Sequence, residues 1–346
     1  MPKAGAGRNQ AMRTALALSA YTTRPLRLGG LMSEGLKPRP GLGPGGYTAA
    51  AAAAVVSGGR FRLDNEGSDL ELWPQSPKGG EYFFDVAQRQ ASAAPLSLVL
   101  ETIVLPLSAA ADPSHVILSG GTHVYGGFTS EEISQVLIPN LGSIGFDLAF
   151  REISPGFHPR GGGEAEITVK PALRFQPMLA DKPFQASAVG IEVLTSGLPG
   201  HLAEQALEGA LSRLELHRIK AKGRIRQAKA GPGSALLIWA QGSKCRVGFS
   251  ILGRKGGRPS ALANDAAEPL LGFLRSGAGI TAAQAAKLLA PLACAPGDSR
   301  LTVDRLSGEL RAAIEAVEAF FPGTVRIGRQ RPQQPVEIRI LGRARR

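Results

Sequence analysis

Hydrophobic and polar positions alternate along this chain in a way that predicts helices packed on mixed sheets. Residues 10–21 place Ala15, Leu16, Leu18 and Ala20 on one side and predict a helix. Residues 26–31 read as a strand, and the alanine-rich run 47–56 reads as a second helix. Two short strands, 60–63 and 69–73, flank the turn-forming Asp64-Asn65-Glu66-Gly67. A strand at 81–86, a long helix at 93–107 and a strand at 115–119 follow. Residues 131–141 predict a helix, and 146–153 and 164–170 predict strands. The order is a loosely repeated strand–helix–strand–strand unit, which argues against a doubly wound nucleotide-binding fold.

The texture changes where Pro171, Pro177 and Pro183 cluster. Beyond them a second such unit begins, with a strand at 187–195, a helix at 202–214 and strands at 235–240 and 244–252. This predicts an inserted α/β domain over residues 181–257. Residues 1–180 and 258–346 then form the large domain. Helices at 260–274, 282–292 and 306–320 return the chain to it, and strands at 323–328 and 336–341 close it.

Composition narrows the function. The 346 residues carry 40 Lys+Arg against 28 Asp+Glu, a formal charge of +12, yet 43% of the chain is hydrophobic. That balance excludes a disordered basic tail and favours a folded protein with a polyanionic partner, nucleic acid first. Aromatics at 5% are too few for a row of base-stacking rings. The basic residues gather in three zones: residues 1–50, Arg218 to Lys229, and Arg326 to Arg346. Two cysteines, Cys245 and Cys294, can build neither a disulfide framework nor a four-cysteine zinc site, so a reducing, cytoplasmic setting is expected. The apolar stretch 93–111 is interrupted by Glu101 and Pro106, and no membrane partner is expected. No pair of histidines has metal-ligand spacing, and no phosphate-binding P-loop occurs.

Four glycine-rich stretches carry a more specific signal. Ser119-Gly120-Gly121-Thr122-His123-Val124 follows a strand, and Gly156-Phe157-His158-Pro159-Arg160-Gly161-Gly162-Gly163-Glu164 precedes another. Gly231-Pro232-Gly233-Ser234 leads a third strand, and Leu252-Gly253-Arg254-Lys255-Gly256 ends the next. In order and spacing they resemble the RNA 3'-terminal phosphate cyclase family, over about residues 5–341. The glycine run at 161–163 is open to two readings, a backbone role or a loop whose Arg160 touches phosphate. His123 and His158 read by default as satisfied or solvent-facing side chains.

The resemblance implies an α+β fold, with repeated βαβαββ units in a large domain and a smaller inserted α/β domain. It also implies chemistry in which ATP and a divalent metal adenylate a histidine, and the AMP passes to an RNA 3'-phosphate that then cyclises. Here the matching position of that histidine, in the helix after Leu301-Thr302-Val303, is Glu309, and no histidine occurs after His217. The N-terminal pattern survives as Gly5-Ala6-Gly7-Arg8-Asn9-Gln10-Ala11-Met12-Arg13, with Gln10 and Arg13 matching and Ala6 at the metal-side glutamate. Two family arginines fall on Glu34 and Lys37, one glutamine on Gly45 and another on Glu101. A late-helix aspartate and aromatic fall on Ala286 and Ala283.

The expectation is therefore a cyclase-like protein that binds RNA and acts in RNA processing or ribosome assembly, alone or with a ribonucleoprotein partner. Gln10, Arg13, Lys37, Arg39, Glu101 and Arg160 are its expected RNA- or phosphate-binding residues. No metal ligand is expected. The alternative is an active cyclase using Glu309 as nucleophile, which would need ATP with Mg²⁺ or Mn²⁺. Asp304, Arg305 and Glu309 read as a helix N-terminal charge cluster rather than a nuclease centre.

Overall fold

The computed structural model describes residues 4–33, 39–64, 66–172, 174–329, 331 and 334–343. The chain runs α1 (Ala4–Thr22), β1 (Leu26–Leu28), α2 (Pro44–Val56), β2 (Arg60–Leu63) and β3 (Leu70–Trp73). Next come β4 (Gly80–Asp85), α3 (Ser97–Leu107) and β5 (Ser114–Gly120). Two short helices, α4 (Ser130–Glu132) and α5 (Ile138–Ser143), flank a π-helical turn (Ile133–Leu137) and lead to β6 (Asp147–Ser154) and β7 (Gly163–Lys170). The two-residue β8 (Leu179–Ala180) precedes β9 (Ala188–Ser196), α6 (Gly200–Glu215), β10 (Lys222–Ala228), β11 (Gly233–Gln241), β12 (Arg246–Leu252) and α7 (Pro259–Ser276). The chain closes with α8 (Ala282–Ala293), β13 (Gly297–Val303), α9 (Gly308–Phe320), β14 (Val325–Ile327) and β15 (Val336–Gly342).

Strand order shows the repeat directly. One sheet is ordered β4-β5-β7-β6, with β4 and β5 parallel and the remaining pairs antiparallel. Another is ordered β8-β13-β15-β14 with the same directions. Each is thus a βαβαββ unit, the second opened between β8 and α8 by the insertion. The sheet β1-β3-β2 is wholly antiparallel and matches the same arrangement without its leading strand.

Helices fill the centre of the large domain and the sheets cover them. The α1 helix packs on α9, α3 and α2, and α8 packs on α9. Close approach is possible because α2 buries Ala49, Ala50, Ala52, Ala53 and Ala54, whose small side chains let neighbouring backbones draw near. Strand β7 alternates buried Ala165, Ile167 and Val169 with half-buried polar neighbours, so one face meets the helices and the other faces solvent. The mixed α+β architecture expected from the sequence is the one observed.

Four elements differ from the sequence reading, each for a local reason. The α3 helix starts at Ser97, not at residue 93, because Pro95 disfavours helical backbone at Ala94. The single helix expected over 131–141 breaks into a π-helical turn at Pro139, which has no N–H for the carbonyl of Gln135. That carbonyl instead accepts from Arg246 Nη1 of β12 at 3.0 Å. The basic run 218–229 contains β10, the edge strand beside β9. Lys222, Arg224 and Arg226 alternate with Gly223 and Ile225 there, and the charges had masked the strand period.

The fourth difference is the end of the insertion. Ala263, Ala266, Ala267, Leu270, Leu271 and Phe273 of α7 share one buried core with β9, β11, β12 and α6. The α7 helix therefore belongs with the inserted sheet, and the boundary at 257 lies about twenty residues too early. Both a large-domain and an inserted-domain face would accept its apolar stripe, so sequence alone did not choose between them.

Candidate functional site

Where α1, α3, α8 and the start of α9 meet, a charged group is enclosed in the helical core. Arg13 Nε donates to Glu101 Oε2 at 2.9 Å and Lys287 Nζ donates to the same oxygen at 2.8 Å. Arg13 Nη2 donates to Gln10 Oε1 at 2.9 Å, Lys287 also donates to Gln10 Oε1, and Gln10 Nε2 donates to Thr14 Oγ1 at 3.1 Å. The cluster is built by helix spacing: Gln10, Arg13 and Thr14 stand at i, i+3 and i+4 on one face of α1.

Electrostatics follows from burial. Desolvation works to raise the Glu101 carboxyl, but Arg13 and Lys287 outweigh it and hold it below the ordinary range. Burial lowers the Lys287 ammonium despite Glu101 beside it. The Lys287 ammonium also lies 5.1 Å from the centroid of Phe128. Glu132 is buried nearby, its carboxylate accepting from Ser250 Oγ of β12 at 2.8 Å. Burial pushes its pKa up to about 7, and the Ser250 hydroxyl offsets this only in part. Glu309 stands in the first turn of α9 and adds its field to both Lys287 and Glu132. A partly open space of about 40 Å³ lies beside Gln10, Arg13, Glu101 and Lys287. That volume admits a few waters.

A second charged group lies between the large domain and the insertion. His123 Nε2 is 2.6 Å from Glu131 Oε2, and Nδ1 is 2.7 Å from Thr122 Oγ1. Arg226 of β10 reaches Glu131 at 2.6 Å and Glu152 at 2.7 Å. Burial works against the Glu131 carboxylate, but His123 and Arg226 hold its pKa down to about 2. An ionised Glu131 only accepts, so Nε2 of His123 carries the hydrogen between them. The repeat clarifies its place: Thr129 and Ser307 cap the matching helices α4 and α9, which puts Glu131 where α9 has Glu309.

The glycine-rich stretches serve this junction. Gly156 and Gly163 cross so closely that a Cβ on Gly156 would lie 2.2 Å from the Gly163 nitrogen. Gly161 and Gly162 adopt φ of 64° and 67°, a backbone conformation that suits glycine. The Phe157 ring stacks on His123 at 5.0 Å and lies flat on Gly233, where a Cβ would meet it at 2.3 Å. Two sequence motifs 70-odd residues apart are thus halves of one contact.

The expected site residues divide into groups. Gln10, Arg13 and Glu101 come together in the core cluster. Arg13 is only 4% exposed, so its charge is spent on Glu101 and does not face an open cleft. Arg39 is exposed on the connection before α2, its backbone N–H donating to Ser33 Oγ at 2.9 Å. Arg160 is exposed at the glycine loop, away from that core cluster's hydrogen bonds. Lys37 and Glu34 lie outside the described residues. Ala286 is buried in the apolar core, and its neighbour Lys287 is the α8 residue in the cluster, a group missed because one residue is a 100° turn of the helix. Asp304 Oδ1 accepts from the Ala282 backbone N–H at 2.7 Å, so it caps α8. His123 is a satisfied buried histidine and His158 is exposed.

Comparison with known proteins completes the picture. A family profile described as RNA 3'-terminal phosphate cyclase matches residues 4–327. The chain belongs to the RNA 3'-terminal phosphate cyclase family. It is 32% identical over 322 residues to a protein of Gloeothece citriformis (strain PCC 7424) named RNA 3'-terminal phosphate cyclase, covering 91% of each chain. It is 31% identical over 338 residues to one of the same name from Salmonella agona (strain SL483), covering 96% of this chain and 95% of that one.

Within this cyclase family the chemistry outlined above would need a divalent metal. Among the described residues no three His, Cys, Asp or Glu side chains converge as a metal site. Glu101, the carboxylate deepest in the cluster, is held by two cations. The residues present do not fit a metal centre there. No described helix is long and apolar enough to cross a membrane.

Proposed function

We propose that this protein binds RNA 3' ends and acts in RNA processing or ribosome assembly without adenylating a histidine. The observation that carries this reading is the Arg13–Glu101–Lys287 cluster, in which both cations are buried and share one carboxylate within the protein. A carboxylate, Glu309, stands where the family's nucleophile is expected, and it lacks the imidazole nitrogen that would attack phosphorus. RNA is the partner that fits a +12 chain with exposed Arg39 and Arg160. ATP and Mg²⁺ or Mn²⁺ have no part in such a role, and a processing-factor partner would supply any chemistry.

Equilibrium binding to a 3'-phosphorylated single-stranded RNA over a salt series tests this. Affinity is expected to fall by about 0.7 log unit per log unit of salt for each phosphate contacted. It should not depend on ATP. Affinity that is undetectable or indifferent to salt would contradict the proposal.

A second reading, an active ATP-dependent cyclase using Glu309, is favoured by one observation. Glu309 stands at the first turn of α9 and feels the buried Lys287. The two readings part on whether AMP becomes attached to the protein.

A further inference from the structure

An open cleft of about 570 Å³ lies between the end of α7, the β13–α9 connection and the residues Arg331, Gln334 and Val336. Four arginines line it: Arg275, Arg305, Arg311 and Arg331. One acidic side chain, Asp304, stands on its wall. That carboxylate is already engaged, accepting from the Ala282 N–H through Oδ1 and from Arg305 Nη1 at 2.5 Å through Oδ2. Arg275, Arg311 and Arg331 are exposed, and among the described residues none has a carboxylate at ion-pair distance. The cleft is separate from the buried cluster, because Arg311 and Glu309 are two residues, about 200°, apart around α9.

Folding alone gains little from this arrangement. Like charges gathered around one concavity repel, and Arg305 and Arg311 flank the start of α9, where the helix's own dipole disfavours cations. Guanidinium forks are suited to phosphate oxygens, which they can grip through two hydrogen bonds at once. No aromatic side chain lines the cleft, so it offers nothing on which a base could stack.

We propose that this cleft holds the phosphodiester backbone of single-stranded RNA, at nucleotides upstream of the 3' end and without regard to base sequence. The inference rests on the reading that the protein binds RNA and assigns that strand a second contact surface. It also gives a role to Arg331 of the basic C-terminal zone, which the family motifs leave unassigned.

The test measures fluorescence anisotropy of a labelled single-stranded RNA of about 20 nucleotides, of mixed sequence, over a salt series. The full-length protein is compared with the Arg275→Ala/Arg311→Ala and Arg275→Lys/Arg311→Lys variants. Arg62→Ala, on β2, serves as control, and inorganic tripolyphosphate as a second probe. Arg275 and Arg311 are exposed, and unchanged thermal melting will confirm that the variants fold. The alanine pair is expected to lose about tenfold in affinity and to reduce the salt slope by about 1.4, from two contacts at about 0.7 each. The lysine pair should keep the slope, Arg62→Ala should change neither, and preference for a 3'-phosphate should persist throughout.

An unchanged affinity and slope in the alanine pair, with RNA still bound, would overturn the cleft assignment and leave RNA binding intact. Tripolyphosphate binding that requires Arg275 and Arg311, without any effect on RNA, would overturn RNA as the occupant. Absence of RNA binding in the unmodified protein would overturn both proposals.

Discussion

Glu101 decides the character of the buried cluster. With a neutral glutamine there, Arg13 and Lys287 would be two uncompensated cations inside a helical core. The carboxylate offsets one of the two charges and accepts a hydrogen bond from each. Removing one member of a buried ion pair leaves charge without water or partner, which commonly costs about 3–5 kcal/mol. Glu101→Gln is therefore expected to lower the unfolding free energy by that order in denaturant titration, and a loss under about 1 kcal/mol would speak against the pairing. Glu132 makes a prediction of opposite kind. Its pKa is raised from 4.5 to about 7, so the native state binds more protons than the unfolded state between those values. Stability from this group falls as pH rises through that window, by on the order of 3 kcal/mol at 1.36 per unit, and is level above it. Glu131, held down to about 2, acts the other way and loses its contribution only as pH falls from 4.5 toward 2. Glu132→Gln should be more stable than the parent at pH 8, with the gap closing toward pH 4.5, as denaturant midpoints across pH will report. Gln10 and Arg13 stood out in the sequence because they match the family's pattern, and Glu101 because it replaces a glutamine of that pattern. Lys287 was not, because no motif fixes which of two adjacent helical residues faces a buried neighbour.

At the scale of elements, the segment 130–143 links sequence to domain assembly. Pro139 frees the Gln135 carbonyl, Arg246 of β12 fills it, and Asn140 completes the seam. Asn140 Nδ2 donates to the Arg246 carbonyl at 2.9 Å, and the Arg246 N–H donates to Asn140 Oδ1 at 2.7 Å. Arg246 also lies over Trp239 at 4.8 Å. Arg246→Ala keeps the backbone bonds but leaves the carbonyl without its charged donor, a loss of about 1.5–3 kcal/mol. Hydrogen exchange should quicken in β12 and in residues 133–143 together; quickening in β12 alone would contradict the coupling. The helices and most strands were legible because their apolar periods are clear. The π-helical turn and β10 were not, since one depends on what replaces a lost hydrogen bond and the other is an edge strand whose face carries Lys222, Arg224 and Arg226. Two of those charges are met by Glu192, Glu131 and Glu152, so part of that basic run is structural.

For the whole molecule, the repeat explains both the kinship and the departure. Two complete βαβαββ sheets and one lacking its leading strand surround the central helices, and the family profile spans nearly all of them. The fold was therefore legible from glycine motifs that hold backbones close, as at Gly156 and Gly163 and at Phe157 against Gly233. The limit of the insertion was not, because α7's core partners are settled only in three dimensions. The fold is the family's, while the position expected to attack ATP carries Glu309 and Arg13 and Lys287 are both engaged by Glu101. Incubation of the full-length protein with α-labelled ATP, Mg²⁺ or Mn²⁺ and a 3'-phosphorylated RNA tests this most directly. The expected result is RNA binding with no AMP attached to the protein and no 2',3'-cyclic phosphate formed. Covalent AMP that disappears in Glu309→Ala, together with a cyclised RNA end, would contradict the account.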